Sequence, residues 1–245
     1  MYGDQNFLNM EGFTYTNIFE TKGIEYLVII SFFVVLVPLW LFFNKRAKPE
    51  AVMQKAKGFI AAKSLRIPQG VFFSKYHTWA HLEKNGDAHV GLDDLLLHIT
   101  GDVKLTQFKK PGEHIRKGEL FAKIRYNGHS LDVLSPVTGE VTQTNSELEA
   151  NPGLIKIDPY QLGWIYSIKP ENWKTDTDSY YLAEDATNWA IQELERFKDF
   201  LAVSASRVMP QPFGVVMQDG GELEEKPLSK FPKEVWDDFQ KNFLS

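Results

Sequence analysis

Cysteine is missing altogether from the 245 residues. Disulfides, thiolate nucleophiles, thiolate-held zinc and cysteine-ligated iron–sulfur clusters are therefore excluded together. Any redox centre that this protein works with sits on a partner. The compartment stays open, because a chain without thiols tolerates either redox environment. A cationic excess is missing too: 27 Lys and Arg stand against 32 Asp and Glu, a net charge of -5, and no dense basic stripe marks a nucleic-acid surface. Neither a G-x-S-x-G elbow nor a Walker or Rossmann glycine pattern occurs, and Gly220-Gly221 reads as a turn. Asp93-Asp94 and Glu224-Glu225 read as surface charges, since adjacent side chains point to different sides of a strand or helix and make poor acid/base partners. No catalytic set is left, and the chain is not expected to be an enzyme.

What is present begins with one long apolar run. Tyr26 to Phe43 reads YLVIISFFVVLVPLWLFF, eighteen positions without a charge. As a helix it spans roughly 27 Å, about one hydrocarbon core. Pro38 marks a kink point that membrane helices tolerate, and Tyr26 and Trp40 suit the two interfaces. A signal peptide would have a basic start and a shorter run, whereas Asp4, Glu11, Glu20 and Glu25 precede this one against Lys22 alone. The sequence therefore predicts a transmembrane helix over 25–43 after a short N-terminus at 1–24. Lys45, Arg46, Lys48, Lys55, Lys57, Lys63 and Arg66 follow the span. The positive-inside rule then places the body in the cytoplasm and the N-terminus outside, an inner (plasma) membrane protein in a bacterial cell. The connector 44–70 contains a predicted short basic amphipathic helix over 47–66, read either as lying along anionic headgroups or as a solvated link.

Residues 67–173 change character. Val, Ile, Phe and Tyr alternate with polar residues, and turn signals recur at Asn85-Gly86-Asp87, Lys110-Pro111-Gly112, Asn127-Gly128, Pro136-Val137-Thr138-Gly139 and Asn151-Pro152-Gly153. Short strands at this spacing predict an antiparallel sandwich or barrel. Asn127-Gly128 predicts a type I′ hairpin, whose two central positions need positive φ. Residues 180–203 switch to helical period, with Trp189, Ile191, Leu194, Phe197, Phe200 and Leu201 read as one apolar stripe; the domain boundaries drawn are 174–205 for this amphipathic segment and 206–245 for an aromatic tail. The tail carries a turn at Asp219-Gly220-Gly221 and a short helix from Lys233 with Trp236, Phe239 and Phe243 on one side. It is too short to fold alone, so those aromatics need a host surface, on this chain or on a partner.

Between Val71 and Trp173 the motif order resembles the glycine cleavage H-protein family. Phe73-Ser74-Lys75-Tyr76-His77-Thr78-Trp79-Ala80 resembles its opening strand, and Gly86-Asp87-Ala88-His89-Val90-Gly91-Leu92 the hairpin that follows. Gly101-Asp102-Val103, Pro111 to Glu119 and Ser135-Pro136-Val137-Thr138-Gly139-Glu140-Val141 come next in order. Asn145, Glu149, Asn151-Pro152, Asp158-Pro159-Tyr160 and Gly163-Trp164-Ile165 complete the run. The resemblance implies a barrel-sandwich hybrid over 71–173, an α+β and mainly β fold, as in lipoyl and biotinyl carrier domains. It also implies a lipoyl-lysine on a hairpin tip four residues before an aspartate. Asp132 aligns with that aspartate, which puts Gly128 at the lysine position and Arg125 at a family glutamate. Lys123 lies five residues back, within the strand.

The chain is accordingly expected to carry no cofactor. Six histidines, at positions 77, 81, 89, 98, 114 and 129, raise the question of a metal. His77 and His81 lie about 13 Å apart if both sit on a strand, no carboxylate or cysteine completes a known ligand spacing, and His77 fills the family's strand-start position, so no metal site is expected. The altered tip, Arg125, Tyr126, Asn127 and His129, and the tail residues Trp236, Phe239 and Phe243 are the candidate docking residues for other protein subunits. The expected role is a non-catalytic, non-lipoylated membrane-anchored subunit or scaffold, by analogy of a respiratory or electron-transfer assembly. The alternatives are a membrane-tethered lipoyl-type carrier or enzyme acting on lipoyl intermediates, and a ligand-binding sensor.

Overall fold

The structure, a computed structural model, describes residues 18–44, 59–60, 64–208, 217–218 and 222–245. In chain order the elements are helix α1 (Ile18–Asn44), strands β1 (Phe59–Ile60), β2 (Phe72–Phe73), β3 (Thr78–Leu82) and β4 (Ala88–Leu92), helix α2 (Asp94–Thr100), and strands β5 (Lys104–Gln107), β6 (His114–Ile115), β7 (Leu120–Tyr126), β8 (His129–Leu134) and β9 (Gly139–Thr144). Helices α3 (Glu147–Ala150) and α4 (Leu154–Ile157), strand β10 (Tyr166–Pro170), helices α5 (Trp173–Thr177) and α6 (Ala183–Val208), strands β11 (Met217–Gln218) and β12 (Glu222–Glu224), a 3-10 turn (Pro227–Lys230) and helix α7 (Lys233–Phe243) follow. They fall into two compact units, Met1–Ala56 and Lys57–Ser245.

The first unit holds α1, a continuous helix that passes through Pro38 without a break. Its described side chains, Tyr26–Trp40, are apolar on every side, and the large ones are between 39% and 67% exposed. Among the described residues no helix is long and apolar enough to cross a membrane. The described side chains end at Trp40, so the eighteen-residue run read from the sequence extends past them.

In the second unit every sheet is antiparallel. One sheet orders its strands β2-β3-β4-β10-β9-β6, a second β5-β7-β8 and a third β1-β12-β11. Period-2 alternation sends Val90, Leu92, Ile124, Leu131, Val141 and Ile168 into one shared core, where each is fully buried. Trp79 lies on the face of Gly91: a Cβ there would come within 2.8 Å of the indole, so only glycine fits beneath it. The indole N–H then reaches the Leu92 carbonyl at 2.9 Å.

Within 67–173 the expected short antiparallel strands are present, with α2 to α4 between them. Other expectations need correction. Helix α2 forms where Asp93 caps the Leu96 N–H at 2.7 Å and Leu95, Leu96, Leu97 and Ile99 are buried on it. Phe59–Ile60 is strand, not part of a basic amphipathic helix, because Ile60 is fully buried and pairs with Leu223; residues 47–58 and 61–63 of that expectation lie outside the described residues, as does the expected turn at 219–221. Helix α6 is present, but Ile191 is 41% exposed and leaves the stripe, while Ala186, Ala190 and Glu193 join Trp189, Leu194, Phe197 and Leu201 on the buried side.

That buried glutamate belongs to an ion cluster. His77 is not on a strand; it sits between β2 and β3 with φ of 60°, fully buried. Its Nδ1 lies 2.7 Å from Asp93 Oδ2, and its Nε2 lies 3.4 Å from Glu193 Oε1. Trp189 and Phe243 flank the ring, with centroids at 5.5 and 6.2 Å. Asp93 is thus buried, as is Asp94, which pairs with Arg66 and His98. Their side chains do part to different sides as expected, but each lands on a cation rather than in solvent. Glu224 and Glu225 keep exposed side chains, 50% and 39%. Ser74, close to His77 in sequence, turns its hydroxyl to Thr78 at 2.7 Å rather than to the imidazole.

Burial alone would lower the His77 pKa, yet the charges and hydrogen bonds of Asp93 and Glu193 outweigh it and raise the pKa from 6.5 to about 9. The shift corresponds to a contribution on the order of 3 kcal/mol. Because the folded value lies above the unfolded one, this contribution is complete below about pH 6.5 and fades as pH rises through about 9. Urea unfolding of the full chain in mild detergent, followed by tryptophan fluorescence, is expected to lose stability between pH 7 and 10, and His77→Gln to flatten that loss and cost roughly 3–5 kcal/mol at pH 7. An unchanged pH slope in the variant would place the titration elsewhere.

Candidate functional site

The position to which the sequence draws attention is the tip of the β7–β8 hairpin. Asn127 and Gly128 both have positive φ, 43° and 86°, and the strands pair in register from Tyr126–His129 down to Lys123–Asp132. The expected type I′ turn is therefore formed. A Cβ added at Gly128 would meet nothing within 4 Å, so the space beside Gly128 is open and Asn127 carries the one side chain of the two-residue turn. Below it, Ala122, Ile124, Leu131 and Val133 point into the core, while Lys123, Arg125, Ser130 and Asp132 take the opposite face. Lys123 is tied down there, its Nζ 3.0 Å from Asp132 Oδ1 on the neighbouring strand.

The C-terminal helix covers one flank of this hairpin. The Trp236 indole stacks on His129, centroids 5.0 Å apart, and on Tyr126 at 6.0 Å, with both pairs within 10° of parallel. Gln240 bonds the β8 backbone at Asp132 twice: its side-chain oxygen accepts the Asp132 N–H at 2.6 Å and its nitrogen donates to the Asp132 carbonyl at 3.2 Å. Since β8 is the last strand of its sheet, this side chain takes the place of a neighbouring strand at that residue. Phe239 and Phe243 pack edge-on against Phe197 of α6 at 5.7 and 5.9 Å.

The docking residues expected from sequence therefore divide. Arg125 and Asn127 are exposed and Tyr126 and His129 half-buried. Trp236, Phe239 and Phe243, at 1%, 0% and 2% exposure, are core residues of this chain and offer no surface to a partner. The apolar stripe of α7 finds its host in cis, on β7–β8 and α6, and sequence periodicity carries no information about which surface that is. Tyr126 and His129 are stacked under Trp236 for the same reason.

Among the described residues two concavities bear on the site's chemistry, the second of them beside the hairpin. A cavity of about 10 Å³ between Arg66, Phe73, Asp93, Tyr160 and Trp189 has room for one water at most. Its wall is an ordered network: Arg66 donates to Asp94 Oδ1 from Nη2 at 2.6 Å and from Nε at 3.1 Å, and Tyr160 donates to the Arg66 carbonyl at 2.8 Å. Burial would raise the Asp94 pKa, but the hydrogen bonds and charges of His98 and Arg66 hold it below the usual carboxylate range. A groove of about 350 Å³ runs between the hairpin and α7, lined by Lys123, Ser130, Asp132, Asp237, Gln240 and Lys241. In the groove Lys123 is paired with Asp132 and Gln240 is bonded to the β8 backbone, contacts that tie the hairpin together and seat α7 on it.

Trp236→Ala removes the cover from Tyr126 and His129 and empties a core position. The expected cost is roughly 3–5 kcal/mol of unfolding free energy, read by urea denaturation, whereas Asn127→Ala at the exposed turn should cost on the order of 1 kcal/mol through its positive φ. A loss below about 1 kcal/mol for Trp236→Ala would mean that α7 is not seated on the hairpin.

The strand-rich half of the chain is similar to known proteins. The family model described as glycine cleavage H-protein matches residues 71–193, reaching past the boundary expected at 173 to include α5 and the first part of α6. A probable glycine cleavage system H protein of Picrophilus torridus is 40% identical over 107 residues, covering 44% of this chain and 85% of that protein. The glycine cleavage system H protein of Bacteroides fragilis is 37% identical over 121 residues, 49% of this chain and 94% of the relative. The crystal structure of such a protein from Mycobacterium marinum aligns with a TM-score of 0.43 at 24% identity, covering 52% of this chain and 98% of that one. With half of its length matched by the family model and its short antiparallel strands closed around one core, this chain belongs to the glycine cleavage H-protein family.

Proposed function

We propose that this protein is a non-catalytic, non-lipoylated member of its family that serves as a membrane-anchored subunit or scaffold of an inner-membrane complex, of respiratory or electron-transfer type. One observation carries the reading: the hairpin tip ends in Asn127-Gly128 and offers no amine, and the nearest strand lysine, Lys123, is paired with Asp132. A lipoyl group needs a protruding lysine to be linked through an amide, and these residues do not fit it. What the fold keeps is a rigid carrier-like body, and what remains for such a body is binding.

Anchoring is supported by α1, a helix apolar all round whose described side chains are exposed rather than packed. A helix of that kind needs a host for its surface, and a bilayer is the host that matches it on all sides. The lysines and arginine after the run, from Lys45 to Lys63, favour a cytoplasmic body with the N-terminus outside. The second reading, a tethered lipoyl-type carrier, draws on family membership itself and requires attachment at a lysine away from the tip.

Affinity purification of the tagged full chain from mild-detergent membranes, with every co-purifying chain and the intact mass determined, tests both. Stoichiometric membrane subunits with an unmodified mass are the expected result. A lone, unmodified protein would overturn the subunit reading, and a lipoyl adduct in the intact mass would replace it with the carrier reading.

A further inference from the structure

The β3–β4 hairpin presents a pair of imidazoles that spacing along the chain does not reveal. His81 and His89 are direct partners across the two strands. Ala80, Ala88 and Val90 beside them are fully buried, so alternation turns both imidazoles to the outer face. His81 Nδ1 lies 3.0 Å from the Gly70 carbonyl oxygen. A carbonyl only accepts, so Nδ1 is the donor there and Nε2 is the ring nitrogen left facing away from it. A histidine held in this way through one ring nitrogen presents the other as a ligand.

Glu83, just past the end of β3, places Oε1 3.3 Å from His89 Nδ1 and 3.9 Å from His81 Nε2. His89 is fixed in plane by stacking on Trp164, with centroids 4.7 Å apart and planes 6° from parallel. Nitrogen and oxygen ligands at the usual distance from a tetrahedral zinc ion stand about 3.4 Å from one another. The His89–Glu83 separation already has this value, and the His81–Glu83 separation exceeds it by roughly half an ångström. Among the described residues no three such side chains enclose a metal position ready-made. The remaining closure falls to His81 and Glu83, whose side chains are 39% and 37% exposed and have room to move.

We propose that His81, Glu83 and His89 form a surface site for a divalent transition-metal ion of the zinc class, closed by the ion itself, with a fourth position open to water or to a ligand from a partner. The site is independent of the role proposed above, since it lies on β3–β4 and not on the β7–β8 tip. Calorimetric titration of the full chain in mild detergent with Zn2+ alone is expected to show one equivalent bound with a micromolar dissociation constant. His81→Gln and His89→Gln should each weaken it at least about tenfold, with unchanged circular dichroism. His114→Gln, which alters an exposed histidine paired with Glu171 on another strand, should leave it as it was. Binding weaker than about 100 µM, or stoichiometric binding that survives His89→Gln, would overturn the assignment.

Discussion

The buried His77 imidazolium is the constraint around which the body is arranged. It sits in a left-handed backbone conformation and meets Asp93 at the start of α2 and Glu193 in the middle of α6. Two buried carboxylates would be left without it, with Arg196 reaching only Glu193 of the two. The turn before β3, the cap of α2 and the face of α6 are therefore fixed by one side chain, and Phe243 brings the C-terminal helix against the same ring. A buried ion cluster of this kind is a poor source of net stability when set against an apolar replacement, but it admits one arrangement of the elements that meet there.

Much of the fold was legible in the sequence because its causes are local. The Asn127-Gly128 turn follows from the φ values that two residues tolerate, the strands from alternation, and α6 and α7 from period and the aromatic stripe. The misreadings share a different cause. Ile60 became strand because Leu223 pairs with it from the far end of the unit, Asp93 and Asp94 are buried because His77, Arg66 and His98 are delivered to them, and Ile191 faces out because Val71, Phe73 and Trp79 draw the Ala190 side of the helix inward. Each outcome was decided by a partner distant in sequence.

The same division runs through the candidate sites. That the hairpin turns at Asn127-Gly128 was readable from the sequence, and the φ values there agree. That Trp236 would cap Tyr126 and His129 was not, since an amphipathic helix announces that it has a host but not which one. His81 and His89 were weighed in the sequence, but their pairing was not legible because it exists only across two strands. The tail thus belongs to the body: it closes the exposed edge of β8 at Asp132 and completes the core around Phe197.

The pairing of β1 with β12 has a consequence for how the chain reaches this state. The two strands lie at opposite ends of the unit's sequence, so their contact closes nearly the longest loop available to it, while hairpins such as β3–β4 and β7–β8 close short ones. Loop-closure entropy makes high-contact-order pairings late and slow. The family-like barrel can therefore gather first, with the β1–β12 seam and α7 arriving afterwards. In that interval the β8 edge and the apolar stripe of α6 stand open, and this interval is when the chain is most exposed to pairing with the wrong neighbour.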